Sequence, residues 1–223
     1  MNLLKLSRFL LILILPVLIF LGAAKFAAFD GSYYEKKFLE YGLYEGIPQL
    51  SSIHNRVIDF IKGKNNELPD AFNEREKQHL ADVRGVVREL SNFLYFLIVL
   101  FLVLSITSIY KLKNKKRIIN FLGGALFYSG LLTITVSVIL FLLIIFDFAA
   151  AFESFHMMFF EKGSYIFDPS KEMLVRIYPE DLFMDLGLRI MKFVLLISLI
   201  IAFTGKSLIT KNKKNKNKSK LKT

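Results

Sequence analysis

The chain has 223 residues, 54% of them hydrophobic, a formal net charge of +11 and no cysteine. The missing cysteines exclude disulfides, thiolate metal sites and a cysteine nucleophile. The charge does not read as a nucleic-acid footprint, because it is confined to the flanks of apolar runs: eight lysines from Lys206 to Lys222 and five basic residues from Lys111 to Arg117, neither cluster holding an acid.

The apolar residues come in blocks long enough to cross a bilayer as helix, which takes about 20 residues. The first, in residues 1–29, runs from Leu3 to Phe29 around Lys5, Arg8 and Lys25. Pro16 inside it is tolerated in a membrane helix. It reads as an uncleaved first span, against the rival of a secretory signal ending near Gly22-Ala23-Ala24. Residues 30–91 are polar, with eleven acids against nine Lys and Arg. Helical pieces are expected at Tyr33–Tyr41 and Ile53–Lys62, and Lys62–Asn66 reads as a turn. His54 falls in the second piece with no partner pattern and reads as a surface residue.

Residues 92–146 hold the second span, Phe93–Tyr110, a basic loop, and the third span, Ile118–Phe146, where Gly123, Gly124 and Gly130 allow close helix contact. Residues 147–182 form a second polar loop with seven acids. Within it, Tyr165–Phe167 and Leu174–Ile177 flank Asp168-Pro169-Ser170-Lys171 and read as a short β-hairpin. Residues 183–205 are the fourth span, and 206–223 a disordered, solvated Lys-rich tail. Lys5, Arg8, the 111–117 loop and the tail hold fifteen basic residues and no acid, whereas the two polar loops hold eighteen of the nineteen acids. The positive-inside rule therefore puts both termini in the cytoplasm and both polar loops outside. The expected fold is all-α: a bundle of four transmembrane helices with a mainly helical extracytoplasmic cap carrying the hairpin.

Two histidines flank spans on that outer side. The stretch Asn73-Glu74-Arg75-Glu76-Lys77-Gln78-His79 opens a helix, with Asn73 as N-cap and Glu76 completing a capping box. Glu76 and Asp82, at i−3 and i+3, share the face of His79. His156 lies in Phe152-Glu153-Ser154-Phe155-His156-Met157-Met158-Phe159-Phe160. An imidazole titrates near neutrality and can serve as base and then acid. The structural reading of each, an inert interfacial histidine, stands beside that. Glu76-x-x-His79 and Glu153-x-x-His156 also match the metal-ligating pairs of ferritin-like bundles, but no apolar run supplies the further Glu residues such a site needs. Ser154, Ser164 and Ser170 lack a nucleophile-elbow setting. No metal and no cofactor are expected.

Taken together, the stretch from Phe72 to Arg84 resembles the first signature of the lipoprotein intramolecular transacylases, a family of four-span membrane proteins. Phe155–Phe160, followed by Asp168-Pro169, Leu174-Val175 and Pro179-Glu180-Asp181-Leu182-Phe183, is similar to the second. Where the family commonly has Trp after the Phe-Phe pair, this chain has Gly163-Ser164-Tyr165; its usual Asn-Asp is Glu161-Lys162. The resemblance implies transfer of an acyl chain from the sn-2 ester of a lipoprotein's diacylglyceryl-cysteine to that cysteine's α-amine. The partners it implies are a diacylated lipoprotein N-terminus and membrane lipid. It maps the catalytic pair onto His79 and His156, with Glu76, Asp82 and Tyr165 in support, and leaves open which histidine is the base. A non-catalytic scaffold with structural histidines and a metal-dependent hydrolase are the rival readings.

Overall fold

A computed structural model describes residues 3–47 and 49–220, with side chains through residue 213. The described residues form α1 (Leu3–Ala28), α2 (Gly31–Glu40), α3 (Leu43–Gly46), α4 (Leu50–Ile61), α5 (Glu74–Leu112), α6 (Lys115–Phe146), α7 (Phe148–Phe159), α8 (Met173–Ile177) and α9 (Glu180–Lys220). Four of them, α1, α5, α6 and α9, are long and apolar enough to cross a membrane. No strand occurs among the described residues. The chain divides into two compact units.

One unit gathers the chain up to Ala23, Phe93–Phe141 and the chain from Ile190. Its packing rests on small residues, as expected where lipid removes the hydrophobic drive between helices. A Cβ added at Gly205 of α9 would stand 2.6 Å from the Gly123 carbonyl oxygen of α6, and one at Gly130 would stand 2.7 Å from Ala202. The two backbones therefore touch along this line. Gly124 leaves room for the Arg8 guanidinium of α1, which also lies 5.8 Å from the Tyr128 ring centre. Three buried hydroxyls of α6 find carbonyls: Ser129 donates to Ile12, Thr133 to Ser129 and Ser137 to Thr133. The Lys-rich stretch does not come out as a disordered tail, since α9 runs on to Lys220. A helix already nucleated by an apolar span propagates readily through lysine, and the Asn212 amide is anchored to the Lys116 carbonyl and Asn120. Residues 221–223 of that tail lie outside the described ones.

The other unit comprises Ala24–Asn92 and Leu142–Arg189. Its core is Tyr34, Phe38, Leu50, Val57, Phe60, Phe72 and Leu80, closed by Leu174, Ile177 and Leu182. Asp30 caps α2 through the Tyr33 N–H and is paired with Arg189. Asp185 accepts from Tyr41 at 2.6 Å and pairs with Lys37 at 2.5 Å. These links explain why a nominally apolar α9 starts with charges. α4 ends in a Schellman turn, with Gly63 at φ +74° and the Lys64 N–H bonded to the Asp59 carbonyl.

Two expectations fail here. His54 is not a surface residue: it is 1% exposed, its Nδ1 lies 2.9 Å from the Tyr178 hydroxyl, and its ring packs 4.6 Å from that of Tyr34. The hairpin is absent too, because its backbone donors are committed elsewhere. The Asp168 N–H bonds to the Glu172 carboxylate and the Leu174 N–H to Glu76, so Asp168–Glu172 closes as a turn and Met173–Ile177 is helical.

Two outcomes follow. Gly205→Val forces α6 and α9 apart and costs about 1–3 kcal/mol, read as a lower thermal midpoint in detergent, whereas Gly22→Ala, which meets open space, is silent. Burial pushes His54 down to about 4 from its ordinary 6.5. Between those values the unfolded chain binds the extra proton, so stability is complete above about 6.5 and falls as pH drops toward 4. A pH series of thermal midpoints should show a shallower fall for His54→Phe than for the wild type.

Candidate active site

The site grows from the first turn of α5. Asn73 accepts the Glu76 N–H at 3.0 Å and its own N–H donates to Glu76 Oε2 at 2.7 Å, completing the capping box. The other oxygen of Glu76 accepts the Leu174 N–H at 2.6 Å. Only 1% exposed, this carboxylate joins two segments nearly a hundred residues apart. Arg75 works beside it. Its guanidinium pairs with Glu172 at 3.2 Å, donates to the Gly163 carbonyl at 3.0 Å and to the Ile166 carbonyl, and covers the Phe167 ring at 4.8 Å.

The loop so held delivers its rings to the histidines. His79, 7% exposed, has the Phe160 ring at 4.9 Å and that of Phe167 at 5.4 Å. Its Nδ1 is buried with no hydrogen-bond partner among the described residues. His156 comes from α7, which starts where the Asp147 carboxylate accepts the Ala150 N–H at 2.9 Å. Phe152 and Tyr165 pack against its ring at 4.1 and 4.9 Å. The two imidazole centres stand 6.4 Å apart with planes 22° from parallel.

The partner of His156 Nδ1 is the Phe152 carbonyl oxygen, 2.7 Å away. A carbonyl only accepts, so Nδ1 carries the proton and Nε2 keeps its lone pair in the neutral ring. Burial pushes the His156 imidazole below its ordinary range, opposed only in part by that hydrogen bond. A neutral ring with a free Nε2 is a base in waiting.

Of the residues singled out from sequence, His79, His156 and Tyr165 come together here. Glu76 lies one turn from His79, but its oxygens serve backbone N–H groups rather than the imidazole. The Asp82 carboxylate accepts from the Gln78 amide at 3.0 Å. Arg75 was not foreseen, although it stands at i−4 from His79, a spacing that puts both on one helix face. The candidate serines are engaged or outward: Ser164 donates to the Glu161 carbonyl, Ser170 to Asp168, and Ser154 is exposed. Among the described residues no group of three or more His, Asp or Glu gathers as a metal cluster.

The model of the family described as lipoprotein intramolecular transacylase Lit matches residues 9–183. The chain belongs to that family. No curated protein matches the sequence. Among solved structures, it is similar to the membrane-integral lipoprotein intramolecular transacylase Lit from Bacillus cereus, at 20% identity and a TM-score of 0.81, covering 94% of this chain and 97% of that one. Two forms of the same protein, each with one histidine substituted, align at 20% identity and a TM-score of 0.76, covering 94–95% of this chain and 94–95% of those. The likeness establishes a shared fold. Family membership makes the protein a multi-pass membrane transacylase of lipoproteins.

Removing the Glu76 carboxylate tests how far it governs this geometry. Glu76→Ala orphans the buried Leu174 N–H, costing about 1–3 kcal/mol, and removes the capping bond to the Asn73 N–H. Limited proteolysis of the variant should nick the 160–174 loop faster than in the wild type, and its thermal midpoint should fall.

Proposed function

We propose that the protein moves the acyl chain from the sn-2 ester of a diacylglyceryl-cysteine to the α-amine of that cysteine, using His79 and His156 as its catalytic pair. The amine nitrogen attacks the ester carbonyl carbon. His156 Nε2 takes the proton that the amine sheds, the carbon–oxygen bond to the glyceryl sn-2 oxygen breaks, and that oxygen leaves with a proton as the alcohol. The products are an amide and a lyso-lipoprotein. His79 stands opposite as the partner that meets the developing oxyanion or the leaving alcohol. The reaction needs no side-chain nucleophile, because nucleophile and ester belong to one molecule. Such placement is worth up to about 7–11 kcal/mol of the barrier.

The observation that supports this reading most directly is the hydrogen bond from His156 Nδ1 to Phe152, which leaves Nε2 unprotonated beside a second buried imidazole. Tyr165 supports the pair by packing on His156, and Glu76 by holding the loop; Asp82 contributes its charge on the flank of His79. The segregation of charge in the sequence puts both histidine-bearing segments on the outer side of the membrane and both termini inside.

The experiment is expression in a host lacking its own transacylase, with mass spectrometry of a reporter lipoprotein. The wild type should convert the diacyl form to the N-acyl lyso form, and His79→Ala or His156→Ala should slow conversion by about 10²–10⁴-fold, the usual worth of a general acid or base. Full activity in either variant contradicts the assignment. Because the folded environment lowers the His156 pKa, its protonation should inhibit only on the acid side of about 6.5, apart from the break near 8 set by the substrate amine. Initial rates across pH read both breaks.

A further inference from the structure

We propose that the outer face of α7 lies in the lipid of the bilayer, so that His156 is carried on a helix running along the membrane plane. At 100° per residue, Ala150, Ala151, Ser154, Phe155, Met157 and Met158 fall on the arc of α7 turned away from His156. Phe155, Met157 and Met158 are exposed, Met158 by 74%, and no side chain of α7 is fully buried. The arc bears no charge, and its one polar group, the Ser154 hydroxyl, is of a kind that can bond back to a helix carbonyl.

The neighbour of this face in the same unit points to its cover. The last turns of α6, an apolar helix long enough to cross a membrane, expose Leu142, Leu143, Ile145 and Phe146, the last by 81%. One residue, Asp147, separates them from α7, and its carboxylate is taken up in capping. Exposed apolar residues thus follow one another along the chain from a membrane span onto α7. With twelve residues, α7 is about 18 Å long, too short to cross an apolar layer of about 30 Å. An apolar helix of that length, charged only at Glu153 on its flank and at Glu161 and Lys162 beyond its end, suits the boundary of headgroups and acyl chains.

The absence of native cysteine gives a clean test. Full-length Met158→Cys and, as the aqueous reference, Lys64→Cys in the exposed turn after α4 are placed singly in nanodiscs of phosphatidylcholine and phosphatidylglycerol and treated with a charged, membrane-impermeant maleimide. The thiolate is the reacting form, and each unit by which apolar surroundings raise a thiol pKa slows it about tenfold. The Met158→Cys thiol should react at least about tenfold more slowly than the reference, and a spin label there should meet oxygen more readily than a nickel chelate. Equal rates for the two thiols overturn the proposal. Slow reaction only in discs holding two or more copies also overturns it, since the cover would then be a second chain. Labelling is read without turnover, so the result stands apart from the acyl-transfer reading.

Discussion

A single buried carboxylate holds this site together. Glu76 closes the first turn of α5 on one side and captures the Leu174 N–H on the other. Through those two bonds the start of α5 and the start of α8 become one piece. What surrounds His79 leans on that junction: Phe167 is held by a loop pinned at Leu174 by Glu76 and at Gly163, Ile166 and Glu172 by Arg75, while Phe160 comes off the end of α7, its N–H bonded to the His156 carbonyl. A capping residue, in most helices a local device worth about 1 kcal/mol, is here also a long-range tie.

The environment built in this way is unusual for a pair of titratable groups. Four aromatic rings, those of Phe152, Phe160, Tyr165 and Phe167, pack against the two imidazoles. Such a box disfavours charge and favours neutral rings, one of which has its proton fixed on Nδ1 by a carbonyl. It keeps both rings neutral at rest, so the imidazolium formed when, in the proposed acyl transfer, His156 takes the amine's proton is a strong acid, ready to return that proton to the departing alcohol.

How much of this was legible in the sequence varied with the physics involved. The four long apolar helices could be read because hydropathy alone fixes them. The capping box could be read because it is a four-residue pattern with a local cause. His54 could not: its burial depends on Tyr178, a residue over a hundred positions away, and an amphipathic helix of mixed composition does not announce which face is covered. The false hairpin comes from reading Tyr165–Phe167 and Leu174–Ile177 as strands about an Asp168-Pro169-Ser170-Lys171 turn, where Glu76 in fact claims the Leu174 N–H. The Lys-rich stretch was judged by composition, whereas continuity with an apolar helix decided its form as far as Lys220. Arg75 was legible in principle from its spacing to His79, but the carbonyls it binds belong to a loop that only tertiary structure brings near.

The central claim is that two imidazoles on separate segments act as one unit, and a double-mutant cycle measures that directly. Residual rates of reporter conversion for His79→Ala, His156→Ala and the double variant are compared with the wild type. Residues acting as a unit are strongly non-additive, so the double variant should be no slower than the slower single one. Losses that multiply, with the double variant slower by the product of the two single effects, would mean independent roles and contradict the account.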